Sequence, residues 1–236
     1  MLNETFYLDG IDARSVGIRL QAQISFSEAV PVVESQTISG RNGNLIFETG
    51  SYENRVGTAS CFCLQENVET AISSAGRFLM GKKGYRRLET SDDPDHYWMA
   101  RVENSPQIAM RLRTLSPFEI RFDCKPQRFL KSGENAVIFT ESGSLFNQYG
   151  QTALPLITIY GHGAGTLTIG DCVVEVKEMD DVLFLDSDTQ NAYNDNGNQN
   201  MKINAPIFPT LSDGENKIGF SGGIERVKIV PRWWEL

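Results

Sequence analysis

Residues 208–234 read FPTLSDGENKIGFSGGIERVKIVPRWW, and their reading decides the fold class of the chain. Ser212-Asp213-Gly214-Glu215-Asn216 has turn chemistry, because Asp and Asn side chains bond nearby backbone and Gly accepts positive φ. Residues 217–220 predict a short strand, Ser221-Gly222-Gly223 a second turn, and 226–230 another strand with Val227 and Ile229 on one face. Pro231 has no N–H to give to a ladder and ends that strand. Trp233 and Trp234 follow. Two large apolar rings near a terminus predict a docked end, on its own domain, an earlier one or a neighbouring subunit. Gly219-Phe220-Ser221-Gly222-Gly223 also matches G-x-S-x-G. A nucleophile elbow needs a helix after the serine, with an acid and a histidine later in the chain. Here a β-like run follows and no histidine does, so Ser-Gly-Gly reads as a hairpin turn.

Working back from this stretch, the same alternation of short apolar runs and turns reaches residue 131. Strands are expected at 136–140, 144–146, 154–160, 165–169, 172–176 and 182–185, which with the two above predict a two-sheet sandwich or jelly roll. Residues 188–199 (DTQNAYNDNGNQ) read as an exposed polar loop. Gly161-His162-Gly163-Ala164-Gly165 lies between two strands with no helix to lend a dipole to a phosphate, so it reads as a flexible hairpin. Asp180, Asp181, Asp186 and Asp188 lack the spacing of a calcium loop and read as solvated surface. Glu175, Glu178 and Asp180 are the carboxylates available to a glycosidase, with nothing that pairs them across a bond. Tyr160, Tyr193, Trp233 and Trp234 are the candidates for stacking on a sugar, and core packing explains such rings as well.

The first half is also β-rich. Strands are expected at 5–9, 16–26, 34–39, 45–47, 56–64, 84–89, 97–102 and 115–124, with Pro31 as an interruption and 49–54 as a loop. In the last strand Phe118, Ile120 and Phe122 alternate with Glu119, Arg121 and Asp123, the mark of a half-buried strand. One helix stands out: Asn67 as N-cap, Val68, Ile72, Ala75 and Leu79 on one face with Ala71 and Phe78 beside them, and Gly81 and Gly84 at its end. Residues 125–133 (KPQRFLKSG) read as a domain junction, giving domains 1–130 and 131–236.

Composition narrows the function. The 236 residues are 40% hydrophobic and 22% charged, an ordinary globular balance. Residues 1–130 carry 15 Lys and Arg against 16 Asp and Glu, and residues 131–236 carry 7 against 14. The second domain therefore holds the negative charge, which argues against specific nucleic-acid binding. The basic run 81–87 (GKKGYRR) is read as a solvated loop or subunit contact. Cys61, Cys63, Cys124 and Cys172 have no disulfide or zinc spacing and read as buried thiols. No stretch is long and apolar enough for a membrane span, and MLNETFYLDG has no signal-peptide pattern. No catalytic residue, cofactor or metal ligand is assigned.

The order of these features resembles the distal tail protein (Dit) family of long, flexible-tailed bacteriophages. The resemblance rests on FYLDGIDARSVGIRL (6–20), ISGRNGNLIFETGSYENR (38–55), the lone helix and PFEIRFDCKPQRFL (117–130). It continues with FNQYGQTALPLITIYGHGAGTLTIG (146–170), VLFLDSDTQNAY (182–193), FPTLSDGENKIGFSGG (208–223) and VKIVPRWW (227–234). It implies a mainly β chain with an N-terminal β-sandwich bearing one α-helix and a C-terminal galectin-like sandwich. It also implies a non-enzymatic, structural role in the virion of a phage or prophage: a homo-hexameric ring at the tail tip, made in the host cytoplasm. The ring would join the tail tube protein to the tail-associated, host-binding baseplate proteins. The alternative is a carbohydrate-binding module for a host surface glycan, using Tyr160, Tyr193 and Trp233.

Overall fold

The computed structural model describes residues 4–63, 68–104 and 117–236. The chain forms two compact units, one up to Arg128 and one over Phe129–Glu235. In chain order the first contains β1 Phe6–Leu8, β2 Ile11–Asp12, β3 Ile18–Leu20, β4 Ser25–Phe26, β5 Pro31–Thr37, β6 Asn44–Tyr52, β7 Arg55–Cys63, α1 Val68–Met80, β8 Arg86–Thr90, β9 His96–Val102 and β10 Phe118–Leu130. Its main sheet runs β2-β1-β8-β9-β10-β7-β3 with β4 also on β7, and β5 and β6 pair only with each other.

Side-chain size explains the centre of that sheet. Along β10, Phe118, Ile120 and Phe122 point inward, and the register sets them opposite Cys61, Ala59 and Gly57 of β7. Large groups facing small ones fill the core at native density without overlap. Phe122 meets Phe6 edge-on at 5.7 Å between ring centres, and Phe6 meets Phe78 of α1 at 6.1 Å. Ala75, Phe78 and Leu79 thus carry the helix into the core. The expected N-cap, Asn67, lies outside the described residues.

Two expectations for this unit need correction. Residues 16–26 are not one strand. A 3₁₀ turn over Ala13–Val16 ends at Gly17 in the left-handed conformation, after which β3 and β4 lie in turn against β7. Of residues 49–54, expected as a loop, only Glu53 and Asn54 connect strands. Strand β6 continues to Tyr52 through Gly50, whose positive φ lets the ribbon bend. Pro31 is the first residue of β5, where a missing N–H costs nothing. The stretch 125–133, expected as a domain junction, contains the division between the units and is itself structured: β10 runs on to Leu130 and a 3₁₀ turn follows over Lys131–Glu134.

The second unit contains β11 Val137–Phe139, β12 Gly143–Asn147, β13 Leu156–Ile169, β14 Cys172–Asp186, β15 Asn191–Asn194, β16 Gly197–Asn198, β17 Ile203–Asn204 and β18 Gly214–Val230. The order is β11-β18-β13-β14-β15-β16, with β12 also on β18 and β17 on β14. Three pairs of predicted short strands are in fact single strands, β13, β14 and β18. In β13 and β18 the glycine runs between the predicted halves are bulges rather than reversals, while β14 continues through 177–181 without a glycine. A Cβ on Gly223 would overlap the carbonyl oxygen of His162, and one on Gly161 would overlap that of Gly223. The pairing of β13 with β18 slips between Gly161 and Gly165. Glycine is needed because two backbones pass too close for any side chain, and a bulge there bends the strands. Ile157 and Ile159 before the bulge share one core with Leu167 and Ile169 after it. The bent sheet, open between β11 and β16, therefore folds over this core as a β-sandwich.

The polar stretch 188–199 also differs from expectation, since β15 and β16 lie within it and Ala192 faces the core. At the C-terminus the docked end is resolved in favour of the chain's own second unit. Trp233 is 7% exposed and its ring lies 6.0 Å from that of Tyr149. Trp234 Nε1 donates to the Thr152 carbonyl at 3.0 Å. Gly133 is the complement, because a Cβ there would overlap the Trp233 backbone nitrogen.

Candidate functional site

Tyr160 and Tyr193 come together on one surface and Trp233 does not. Along β13, Ile157 and Ile159 point into the core, so Tyr160 points out. Along β15, Ala192 points in, so Tyr193 points out. The register joins them: Tyr160 lies opposite Val182, and Phe184, two residues on, lies opposite Tyr193. Phe184 and Tyr193 stack at 5.1 Å with 20° between their planes. On the other side of β13, Arg226 of β18 lies opposite Tyr160 and sets its guanidinium 4.0 Å from the ring centre. The result is an outward strip of half-exposed rings flanked by cations. Trp233 is buried in the core and has no ring surface to offer. Sequence reading missed Arg226 and Lys228, although both lie on the polar side of the 226–230 alternation.

The other motifs are used structurally. Ser221 sits within β18 opposite Thr166. Asp186 accepts from Arg232 Nη1 at 2.6 Å. Burial raises its pKa, but the bonds from Arg232 outweigh this and hold it below the usual carboxylate value. Asp180 and Glu178 lie within 4.0 Å of Lys202 Nζ, and Asp181 lies 3.3 Å from His162 Nε2. Glu175 accepts from Asn204 at 3.0 Å. Among the described residues no group of three or more His, Cys, Asp or Glu could hold a metal ion. Burial pushes the Cys61 and Cys124 thiols up to about 12, which keeps them unreactive near neutral pH.

The basic run 81–87 is exposed over residues 81–85, as expected of a solvated loop, and only Arg86 is buried, with Arg87 half-buried. Arg86 donates from Nη1 to the Phe78 carbonyl at 2.6 Å and from Nε to Asp9 at 3.0 Å. Lys82 also reaches Asp9, at 2.8 Å, and Arg87 lies 3.8 Å from the Tyr97 ring centre.

A second candidate surface is the β5–β6 ribbon. Val33 and Ile46 share one face, while Phe47 and Leu45 share the other with Glu34 and Gln36. Ile46 is 60% exposed, Phe47 48% and Val33 49%. A two-stranded ribbon is marginal by itself, and exposed apolar residues on both faces mark an interaction segment.

No known family profile matches the sequence, and no curated protein does. Among solved structures, the crystal structure of the SPP1 Dit (gp 19.1) protein matches with a TM-score of 0.68 at 15% identity, over 97% of this chain and 98% of that chain. The two chains share a fold. The likeness spans both units, so the mainly β architecture expected from the Dit resemblance is the one observed. The SPP1 Dit protein is a paradigm of the hub adsorption apparatus in phages that infect Gram-positive bacteria.

Proposed function

We propose that this chain is a structural hub of a phage or prophage tail tip, a hexameric ring that joins the tail tube to the host-binding baseplate proteins. The observation that carries the proposal is the Dit-like fold over nearly the whole of both chains. The β5–β6 ribbon supports self-association. Six copies around an axis repeat one heterologous contact, and a ribbon with exposed apolar residues on both faces can be clasped by a neighbouring copy. Light scattering with negative-stain images of the full-length protein tests this. The expected mass is about six times 26.3 kDa, with sixfold rings, and Ile46→Asp with Phe47→Asp returns it to the monomer. A monomer that also fails to bind a tail tube protein would overturn the proposal.

A second reading, recognition of a surface glycan by the second unit, is favoured by the meeting of Tyr160 and Tyr193 on one face.

A further inference from the structure

The outward face of the second unit carries two cations that the unit itself does not neutralise. Residues 131–236 hold 14 acidic against 7 basic residues, so carboxylates are in excess. Arg232 has Asp186 at 2.6 Å, and Lys202 has Glu178 at 3.6 Å. The side chains of Arg226 and Lys228 make no ion pair and no hydrogen bond among the described residues. The guanidinium of Arg226 rests instead on the Tyr160 ring. Stacking holds it in place without satisfying its five N–H donors, which form a rigid fork matched to carboxylate and phosphate.

The register shows what surrounds these cations. Lys228, Thr158, Phe184, Tyr193 and Asn198 stand opposite one another in turn, a single row across β18, β13, β14, β15 and β16. Arg226, Tyr160 and Val182 form the next row on the same face. Five strands at about 4.8 Å spacing span about 19 Å, room for several linked sugar units. Arg226 and Lys228 are about 7 Å apart along their strand. Beyond Lys228 the row ends at the exposed Ile138 of β11; inward from the cations it passes the nearly buried Thr158 to a stacked aromatic pair for the apolar C–H face of a pyranose, and ends in an amide for hydroxyl groups.

We infer that this face binds a saccharide chain bearing carboxylate or phosphate groups. The inference rests on the glycan reading above and narrows it to an anionic ligand. A neutral sugar would leave both cations without a counter-charge. A densely acidic protein or nucleic acid would meet the negative field of the whole unit. A glycan with one charge per repeat combines ring stacking with a charge-assisted bond and escapes most of that repulsion.

Calorimetric titration of the full-length protein with four probes tests the inference: an oligogalacturonate, a phosphorylated mannan fragment, a neutral maltooligosaccharide and a hexa-aspartate peptide. One or both anionic saccharides are expected to bind, and comparison of the two shows whether carboxylate or phosphate is preferred. Arg226→Gln combined with Lys228→Gln is expected to weaken that binding about tenfold or more, and Tyr193→Ala by a similar factor. All these side chains point outward, and matching circular dichroism and unfolding midpoints confirm that the variants fold. Failure of both anionic saccharides to bind would overturn the inference, as would binding that the double substitution leaves unchanged. Hexa-aspartate binding as tightly as the saccharides would overturn it in favour of an acidic protein partner. If the neutral probe binds equally well and depends on Tyr193, glycan recognition stands and the anionic inference falls. Silence from every probe removes both.

Discussion

At the scale of single residues, Gly223 shows how one atom decides a local structure. Its Cβ position is occupied by the His162 carbonyl oxygen of the neighbouring strand. Gly219, four residues earlier in the same strand, would place a Cβ no closer than 3.9 Å to its nearest neighbour, Ser142 Oγ. Gly223→Ala is therefore expected to destabilise the second unit by about 3 kcal/mol through overpacking. Gly219→Ala is expected to stay within about 0.5 kcal/mol of the native protein. Urea unfolding of the two variants checks this, and equal midpoints would refute the account of the bulge. The glycines themselves were plain in the sequence, but their role was not. A local Ser-Gly-Gly reads as a turn because its real constraint, a carbonyl some sixty positions away, has no local signature. Trp233 was equally ambiguous. A tryptophan near a terminus is docked somewhere, but only packing against Tyr149 shows that it fills a core. That Tyr160 and Tyr193 share a face depends on the register of three strands, which composition does not encode.

At the scale of elements, what could be read locally was read well. The alternation in 118–122 and the apolar stripe of α1 follow from periods of 2 and 3.6, and Phe118, Ile120 and Phe122 of the one and Ala75, Phe78 and Leu79 of the other are buried as those periods require. The anchor of α1 was not legible, because a basic run looks the same solvated or buried. Arg86 bonds the helix C-terminal carbonyl of Phe78 and the Asp9 carboxylate of the loop after β1. Arg86→Ala leaves both acceptors short of a donor and is expected to cost about 2–4 kcal/mol of unfolding free energy. Asp9 sets the pH dependence of this anchor. Burial raises its pKa, but hydrogen bonds from Lys82, Arg86 and the Arg87 N–H outweigh that and lower it overall. A carboxyl more acidic in the folded than in the unfolded state stabilises fully above its unfolded pKa, near 3.9, and loses that contribution as pH falls through its folded value. The native protein should therefore lose stability in acid below about pH 4 more steeply than Asp9→Asn, which should be less stable at neutral pH. Parallel slopes for the two proteins across that range would show that Asp9 carries none of the dependence.

At the scale of the whole molecule, the two units have separate cores, one drawn from Phe6 to Cys124 and the other from Ala153 to Trp233. Composition placed their boundary at 130/131, from the change in charge balance and the KPQRFLKSG stretch. The compact units instead divide between Arg128 and Phe129, inside β10. The two placements make different predictions, because Leu130 does work in the second unit. Its side chain packs against that core, and its N–H donates to the Trp233 carbonyl at 2.9 Å. The same seam is closed by Arg232 N–H donating to the Gly133 carbonyl at 2.8 Å. A fragment spanning 129–236 retains the whole seam, whereas one spanning 131–236 loses Leu130 and leaves the Trp233 carbonyl without its donor. Both contain the full set of buried residues of the second core, so both are expected to unfold cooperatively. The longer fragment should be more stable by about 1–2 kcal/mol, the sum of one lost hydrogen bond and part of one leucine's burial. Urea unfolding of the two fragments side by side measures the difference. Equal midpoints would move the boundary past Leu130 and reduce the Leu130–Trp233 bond to a by-product of chain continuity. A longer fragment that is clearly more stable places the start of the second folding unit within a strand, where no break in composition marks it.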